Sequence, residues 1–385
     1  MYFYLNTSPE SREEMCGVLG IHSTPNLGKY LGFPIKHPGS SSQDFNFVVE
    51  KVQNKLQGWK TNLLSMVGRV VIAQFVLSAI LAYVMQGCLL PTRILNNLDK
   101  VSRNFVWGST EDHKKLHMVG WGKVTKPKHR WGLGIQEARG RNLSLAAKLW
   151  WRMENSKSGG WADVLRKKYL TDHARKPKAH TRAWNAVRSG SGLCKKGLKW
   201  IVGCSSSLSF WNDKWLNIGT IRSLIEGPLN LGESEVCVRE VIRDAGWVLD
   251  NLSFVFLDHI LKAVRATPLR RHSVREDHRS WISSLNGEFD LSNAYLLAIN
   301  ENLETPDFHG KWIWKLQTLP KIKMFPWKCL HSSLPVRAIL THRGISGLGG
   351  CDSCTKGEES INHVLRDCPT AKKFWEEAFC PVSRK

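Results

Sequence analysis

The chain has 385 residues, 42% of them hydrophobic, with 55 Lys or Arg against 33 Asp or Glu and a net charge of +22. That length accommodates two or three domains, and that apolar content builds real cores, which excludes a wholly disordered or fibrous chain. The positive surplus says little about fold, but it directs the search for partners to polyanions, nucleic acid foremost.

The first predicted helix spans Asp44–Trp59, where Phe45, Val48, Val52, Leu56 and Trp59 recur every three or four residues and mark one apolar face. Ser65 is a candidate N-cap for a second helix running to about Leu90, before Pro91. Val70–Met85 is apolar nearly all round. Gln74 and Ser78 interrupt it, and it falls short of the ~18 apolar residues of a membrane span, so a core helix without a membrane partner is expected. A third helix carries Ile94, Leu98, Val101 and Phe105 on one face and closes at Gly108; three such helices can share a core as a bundle.

Beyond Gly108 the pattern changes. Lys123–Gly134, rich in Pro, Gly, Lys and Trp, reads as an extended connector. Asn142–Glu154 reads as a helix, Lys176–Ser209 as loops and short strands, and Ser207–Phe210 and Glu288–Leu291 as candidate strand edges. Helices return at Ser253–Ala266, Ser292–Leu303 and Phe325–Leu330.

Charge is concentrated in this middle region: Lys114–Arg182 holds 18 Lys or Arg and four acidic residues, a net +14. Trp121, Trp131, Trp150, Trp151, Trp161, Tyr169 and Trp184 are interleaved with it. Cations neutralise phosphates and indole faces stack on bases, although each of these tryptophans taken singly reads better as a core anchor. The candidate contacts to RNA, an RNA–DNA hybrid or DNA are Lys114, Lys115, Lys123, Lys126, Lys128, Arg130, Arg139, Arg141, Arg166, Lys167 and Lys168.

The sharpest local signal is Cys351-x2-Cys354-x8-His363-x4-Cys368. Two thiolates two residues apart bend round one ion, and a His and a third Cys complete a tetrahedron. Sulfur with imidazole favours zinc over magnesium or calcium, and four protein ligands leave no open position, so the expected cofactor is a structural Zn2+. Cys380 is the main rival ligand and His342 a weaker one. The other cysteines are scattered as in a reduced protein, which argues against a disulfide framework. Met1-Tyr-Phe-Tyr leads into polar sequence rather than a secretory signal, so a nuclear or cytoplasmic protein, not a secreted one, is expected.

Polymerase chemistry needs paired carboxylates around two metal ions. No Asp-Asp pair occurs, and the Glu-Glu pairs at 13–14, 358–359 and 376–377 lie in polar surroundings. Walker and Gly-x-Ser-x-Gly patterns are also missing. The expectation is a chain that is not an enzyme.

Several motifs together resemble one family. Tyr30-Leu-Gly-Phe-Pro34, Gly58-Trp59-Lys60, Leu64-Ser65-Met66-Val67-Gly68-Arg69 and Phe105-Val106-Trp107-Gly108 are similar to stretches that follow the polymerase palm in LINE-type (non-LTR) retrotransposon reverse transcriptases of plants. Trp121, Pro127-Lys128 and Trp131-Gly132-Leu133-Gly134-Ile135 resemble their connector, with Trp131 standing where the family usually has glycine. Phe210-Trp211-Asn212-Asp213-Lys214-Trp215, and then Asp277, Trp281, Gly287, Phe289 and Ala294-Tyr295, follow in the family's order. Trp312 through Trp327 and the Cys/His set resemble its reverse-transcriptase zinc-binding domain, with Glu359-Ser360 and Trp375 at flanking positions and Pro326 a departure.

The resemblance implies a mainly α fold with minor β: a post-palm segment and helical thumb-like bundle over 1–110, an irregular basic Trp-rich connector over 111–304 and a small zinc-binding module over 305–385. It further implies a non-catalytic, nucleic-acid-binding part of a reverse transcriptase. The palm would lie upstream, or a polymerase palm would act in trans, and a ribonuclease H domain would lie downstream. Two alternatives stay open. One is a truncated or decayed retroelement product without activity, which protein detection in tissue would separate. The other is a residual ribonuclease H or polymerase, which an assay on an RNA–DNA hybrid would reveal.

Overall fold

The computed structural model describes residues 1–3, 7–24, 29–30, 33–34, 42–57, 63–110, 112–155, 160–170, 181–203, 206–243, 246–268, 276–299, 311–345, 349–354 and 357–379. Gly58-Trp59-Lys60 and Cys380 lie outside the described residues. Helices dominate, in chain order α1 (Pro9–Leu19), α2 (Asn46–Gln57), α3 (Met66–Met85), α4 (Thr92–Trp107), α5 (Trp121–Val124), α6 (Ala138–Asn155), α7 (Trp161–Tyr169) and α8 (Arg182–Gly197). There follow α9 (Ile221–Leu224), α10 (Asp258–Arg265), α11 (Leu291–Ala298), α12 (Lys311–Lys315), α13 (Pro320–Leu330), α14 (Arg337–His342) and α15 (Pro369–Phe379). Strand structure among the described residues is confined to three two-stranded antiparallel ladders: β1 (Lys29–Tyr30) with β2 (Phe33–Pro34), β3 (Leu198–Ile201) with β6 (His278–Trp281), and β4 (Ile242–Arg243) with β5 (Gly246–Trp247).

Local chemistry sets the helix ends. Ser65 accepts from the Gly68 N–H at 3.3 Å and starts α3, as its sequence position predicts. Gly108, at φ 74°, stops α4 in the left-handed conformation that glycine adopts without penalty. The Arg69 guanidinium packs against this same glycine, where a Cβ would lie 2.0 Å from Nη1. The Gly68-Arg69 and Phe105–Gly108 motifs are therefore two halves of one contact.

The residues form two compact units, each gathered from three stretches: Met1–Asn46, Leu81–Leu95 and Ala138–Glu304 in the first, and Phe47–Ile80, Asn96–Glu137 and Thr305–Lys385 in the second. In the first unit Phe210, Trp211, Trp215, Ile221, Val238 and Ile260 form one aromatic-rich core. The Phe210–Trp215 motif is thus structural: the Trp215 indole N–H donates to the Phe210 carbonyl at 3.0 Å, and the Asp213 carboxylate accepts from the Ser209 N–H at 2.7 Å. Asp277 is likewise structural, accepting from the Gly203 N–H at 2.7 Å, the Ser206 hydroxyl at 3.0 Å and the Ser207 N–H at 3.2 Å. Buried Asn142 holds the segment after α3: its carboxamide donates to the Met85 and Cys88 carbonyls at 3.3 and 3.0 Å and accepts from the Leu90 N–H at 2.8 Å.

The structure corrects several expectations. Residues 182–197, expected within a region of loops and short strands, form the sixteen-residue helix α8, whose Thr181 hydroxyl accepts from the Trp184 N–H at 3.2 Å. Gly190 and Gly192 lower its intrinsic helix propensity, but tertiary packing overrides that cost. At Gly190 a Cβ would come within 2.2 Å of the Ala146 backbone on α6, so the small residue is what lets the two helices approach. Glu288–Leu291 is no strand edge; Asp290 caps α11 by accepting from the Ser292 N–H at 2.9 Å. Ser207–Phe210 contributes a single bridge, Ser209 to Cys237. The connector contains α5 and a 3-10 turn at Lys128–Arg130 rather than extended chain throughout. Helix α3 ends at Met85, contains a π turn at Ala73–Leu77, and is long and apolar enough, by length and composition, to cross a membrane. A third of its apolar window is buried, and Val71, Phe75 and Tyr83 are exposed, so it is less enclosed than a core helix.

Substituting Gly190→Ala is expected to lower stability by about 2–3 kcal/mol through overpacking between α6 and α8. Gly192→Ala, which meets nothing within 4 Å, is expected to raise it by about 0.5–1 kcal/mol. Urea midpoints of the two variants measure both effects.

Candidate metal centre

Backbone hydrogen bonds run through the segment that carries the C-terminal cysteines. Cys351 and Cys354 flank a tight turn. The Cys351 N–H donates to the Gly357 carbonyl at 3.2 Å, and the Glu359 N–H donates to the Gly349 carbonyl at 2.7 Å, closing a small loop. Gly357 makes this closure at φ 87°. On the returning arm the Ser360 hydroxyl accepts from the His363 N–H at 3.1 Å, and His363–Asp367 winds into a π turn. Its end is held by the Cys368 N–H donating to the His363 carbonyl at 2.8 Å. The Trp375 indole N–H then ties α15 back to the Leu365 carbonyl at 2.7 Å.

These bonds bring the ligand atoms of Cys351, Cys354, His363 and Cys368 within 4.8 Å of one another, with Cys354 Sγ 3.3 Å from His363 Nε2. Zn–S bonds of about 2.3 Å in a tetrahedron place sulfurs about 3.8 Å apart, so the set fits one zinc ion with little adjustment. Cys351 and Cys368 are buried, and the other two ligands are half-buried. Burial works against the Cys368 thiolate. The Thr370 and Ala371 N–H groups at the start of α15, the Thr370 hydroxyl and Cys354 outweigh it and hold the thiol down to about 7. One ligand is therefore already about half in its metal-binding form near neutral pH. Among the described residues these four are the His, Cys, Asp or Glu side chains grouped to hold a metal; His342, the weaker rival, is exposed and outside the group.

Residues 289–375 match the family described as "zinc-binding in reverse transcriptase". The C-terminal segment is thus similar to a reverse-transcriptase zinc-binding domain. The four ligands lie inside its span, and zinc is its cofactor. Over 352 residues the chain is 30% identical to an Arabidopsis thaliana protein named "Putative ribonuclease H protein", covering 89% of this chain and 57% of that relative. A second Arabidopsis thaliana protein, named as an uncharacterized mitochondrial protein, is 27% identical over 143 residues, which are 36% of this chain and 93% of the relative. The chain thus spans little more than half the length of the first relative.

The candidate nucleic-acid contacts divide between the two units. Lys114, Lys115, Lys123, Lys126, Lys128 and Arg130 belong to the unit that holds the zinc ligands. Of these, Lys114, Lys115, Lys123 and Lys128 are exposed, and the Lys128 ammonium sits 5.5 Å from the centre of the Trp314 ring. Arg139, Arg141, Arg166, Lys167 and Lys168 belong to the other unit. There Arg139, Lys167 and Lys168 are exposed, whereas Arg166 is engaged by Asp163 at 2.7 Å and by the Met153 carbonyl. Arg141 is half-buried, and burial lowers its pKa. Of the interleaved aromatics, Trp151 and Trp184 are buried, with Trp184 stacked on Tyr169 at 4.4 Å, while Trp161 is exposed.

Trp131 keeps the turn that glycine would make. Its φ is 70°, a left-handed conformation that costs an L-residue about 1–2 kcal/mol. The Trp327 indole N–H and His331 Nε2 both bond to its carbonyl, at 2.7 and 2.8 Å, and hold it there. Sequence reasoning missed Arg337, which reaches both arms of the metal loop; an isolated arginine carries no spacing signal that could have revealed it.

Metal analysis should find one zinc per chain, lost in Cys351→Ser/Cys354→Ser. Zinc affinity should fall as pH drops from about 8 to 5, because protons compete with the ion for its ligands. The sign for Cys368 agrees. Its pKa is depressed from 9.0 to about 7, so the stability it contributes is complete above 9 and is lost as pH falls through 7. Trp131→Gly should exceed Trp131→Ala in stability by about 1 kcal/mol, since only the glycine relieves the backbone; urea midpoints test the difference.

Proposed function

We propose that this chain is the non-catalytic, nucleic-acid-binding part of a LINE-type reverse transcriptase, gripping RNA, an RNA–DNA hybrid or DNA through lysines and arginines while zinc fixes the C-terminal module. One observation carries the reading. The unit that holds the four zinc ligands also holds Lys114–Arg130, a stretch with six cations and no carboxylate. The reverse-transcriptase type of the zinc-binding domain supports nucleic acid as the polyanion. The polymerase palm, in this reading, belongs to another part of the element or acts in trans. Cysteines left as free thiols are usual in reducing compartments, which supports the nucleus or cytoplasm. A polar anchor supports a protein contact for α3 rather than a lipid one: the Gln74 carboxamide donates to the Leu133 carbonyl.

The name of the first Arabidopsis relative favours a second reading, ribonuclease H activity. Against it, Glu13–Glu14 and Glu376–Glu377 are exposed, and Glu359 is turned to Arg337. Incubating pure protein with an RNA–DNA hybrid and magnesium separates the readings, since cleavage that persists through purification would establish an enzyme.

The binding reading is tested by fluorescence anisotropy of a labelled hybrid. Affinity should fall steeply between 50 and 200 mM salt, roughly tenfold or more for even a few neutralised phosphates. Reversing Lys114, Lys115, Lys123, Lys126 and Lys128 to Glu should flatten that dependence by about one log unit of slope for each phosphate that is no longer neutralised. Equal affinity at both salt concentrations would overturn the proposal.

A further inference from the structure

Helix α14 has six residues and buries none of them. A helix that short does not hold itself, and with only Val336 just before it buried and residues 337–340 half-buried, its position depends largely on what grips its ends. At its start Arg337 grips the metal loop. Its Nη1 donates to the Gly350 carbonyl at 3.2 Å, beside Cys351, and its Nη2 pairs with Asp352, between the two knuckle cysteines. The Arg337 backbone N–H donates to Glu359 Oε1 at 3.1 Å, and the Ala338 N–H donates to the Glu359 carbonyl at 3.2 Å. Arg337 thus engages both the arm that leads into Cys351 and the arm that leads to His363.

The other end of α14 is gripped as firmly. Arg343 donates from Nη2 to the Met118 carbonyl at 2.6 Å and from Nη1 to the His117 carbonyl at 3.3 Å. Those carbonyls terminate a stretch with neither helix nor strand, which presents exposed His113, Lys114 and Lys115. The stretch has local ties of its own: Ser109 Oγ lies 3.3 Å from His117 Nε2 and accepts from the Lys115 N–H at 3.0 Å. All of these residues belong to one compact unit.

We propose that α14 is a strut through which zinc positions the Lys114–Lys115 segment, with Arg337 and Arg343 as its two positioning residues, so that phosphate binding at these lysines depends on the metal. The reason is the makeup of the metal loop. Among the described residues of 349–379, the buried ones are Cys351 and Cys368, both ligands. Zinc is what orders this loop, and the loop's carbonyl and carboxylates are what hold Arg337. Without the ion the first grip loosens, α14 has no buried side chain to keep its place, and Arg343 no longer fixes the basic segment. The phosphate-binding half of the proposal rests on the nucleic-acid reading above; the coupling half does not.

Hydrogen exchange on the full chain, with zinc and after chelation, tests the coupling without nucleic acid. Zinc removal should speed exchange in 109–118 about tenfold, together with 337–343 and 349–368. Arg343→Ala, with zinc retained, should deprotect 109–118 and leave 349–368 protected. Arg337→Ala should deprotect 337–343 and 109–118 while metal analysis still finds zinc, and Arg337→Lys should restore protection only in part. Unchanged exchange in 109–118 when 349–368 opens would overturn the strut, and so would unchanged exchange in Arg343→Ala. Hybrid binding by the same samples separates the second half: weaker binding in Arg343→Ala supports it. Altered exchange with full affinity refutes metal-dependent phosphate binding at Lys114 and Lys115 while leaving the strut in place.

Discussion

The convergence of three thiols and one imidazole is the constraint on which the C-terminal part of this protein depends. A segment of this length ordinarily encloses a few large aliphatic side chains, and this one encloses two of its own metal ligands instead. The metal bonds replace a hydrophobic core, with an apparent binding energy of roughly 10 kcal/mol or more available to a structural zinc site. The backbone shapes the same site through the closed loop at Gly357, the π turn at His363–Asp367 and the start of α15 behind Cys368.

Elsewhere aromatic residues take the part that zinc takes at the C-terminus. Phe210, Trp211 and Trp281 are fully enclosed, and Trp151 meets the Trp281 ring edge to face at 6.0 Å. Such pairs stabilise by about 0.5–1.5 kcal/mol beyond the area they bury. A tryptophan-rich basic sequence thus divides its labour: six buried indoles build the interior, and charge is left to the surface. Arg141 and Arg166 show that the division is incomplete, since both cations are drawn into packing.

Legibility in the sequence followed the kind of signal. The metal ligands could be read because cysteine and histidine spacing reports coordination directly, and α2, α4 and α6 could be read because their apolar residues keep a helical period. Helix α8 was obscured by Gly190 and Gly192: local propensity argued against a helix, and the reason for the glycine at 190 lies on another helix, at Ala146. The left-handed turn at Trp131 was equally hidden, because the bonds that hold it come from Trp327 and His331, nearly two hundred residues further along. Arg337 and Arg343 act through carbonyls and carboxylates brought close only by the fold, and no periodicity marks them.

Both compact units are braided from separated stretches of chain, and this governs how the protein can be divided. A cut near residue 305 would release the thiolates without the stretch that carries Trp131 and the carbonyls at His117 and Met118. A cut near residue 110 would part Asn142 from the peptide groups at Met85, Cys88 and Leu90 that it satisfies. Neither unit corresponds to a contiguous gene segment, so recombination or splicing that exchanged one for a homologous piece would have to carry three inserts together.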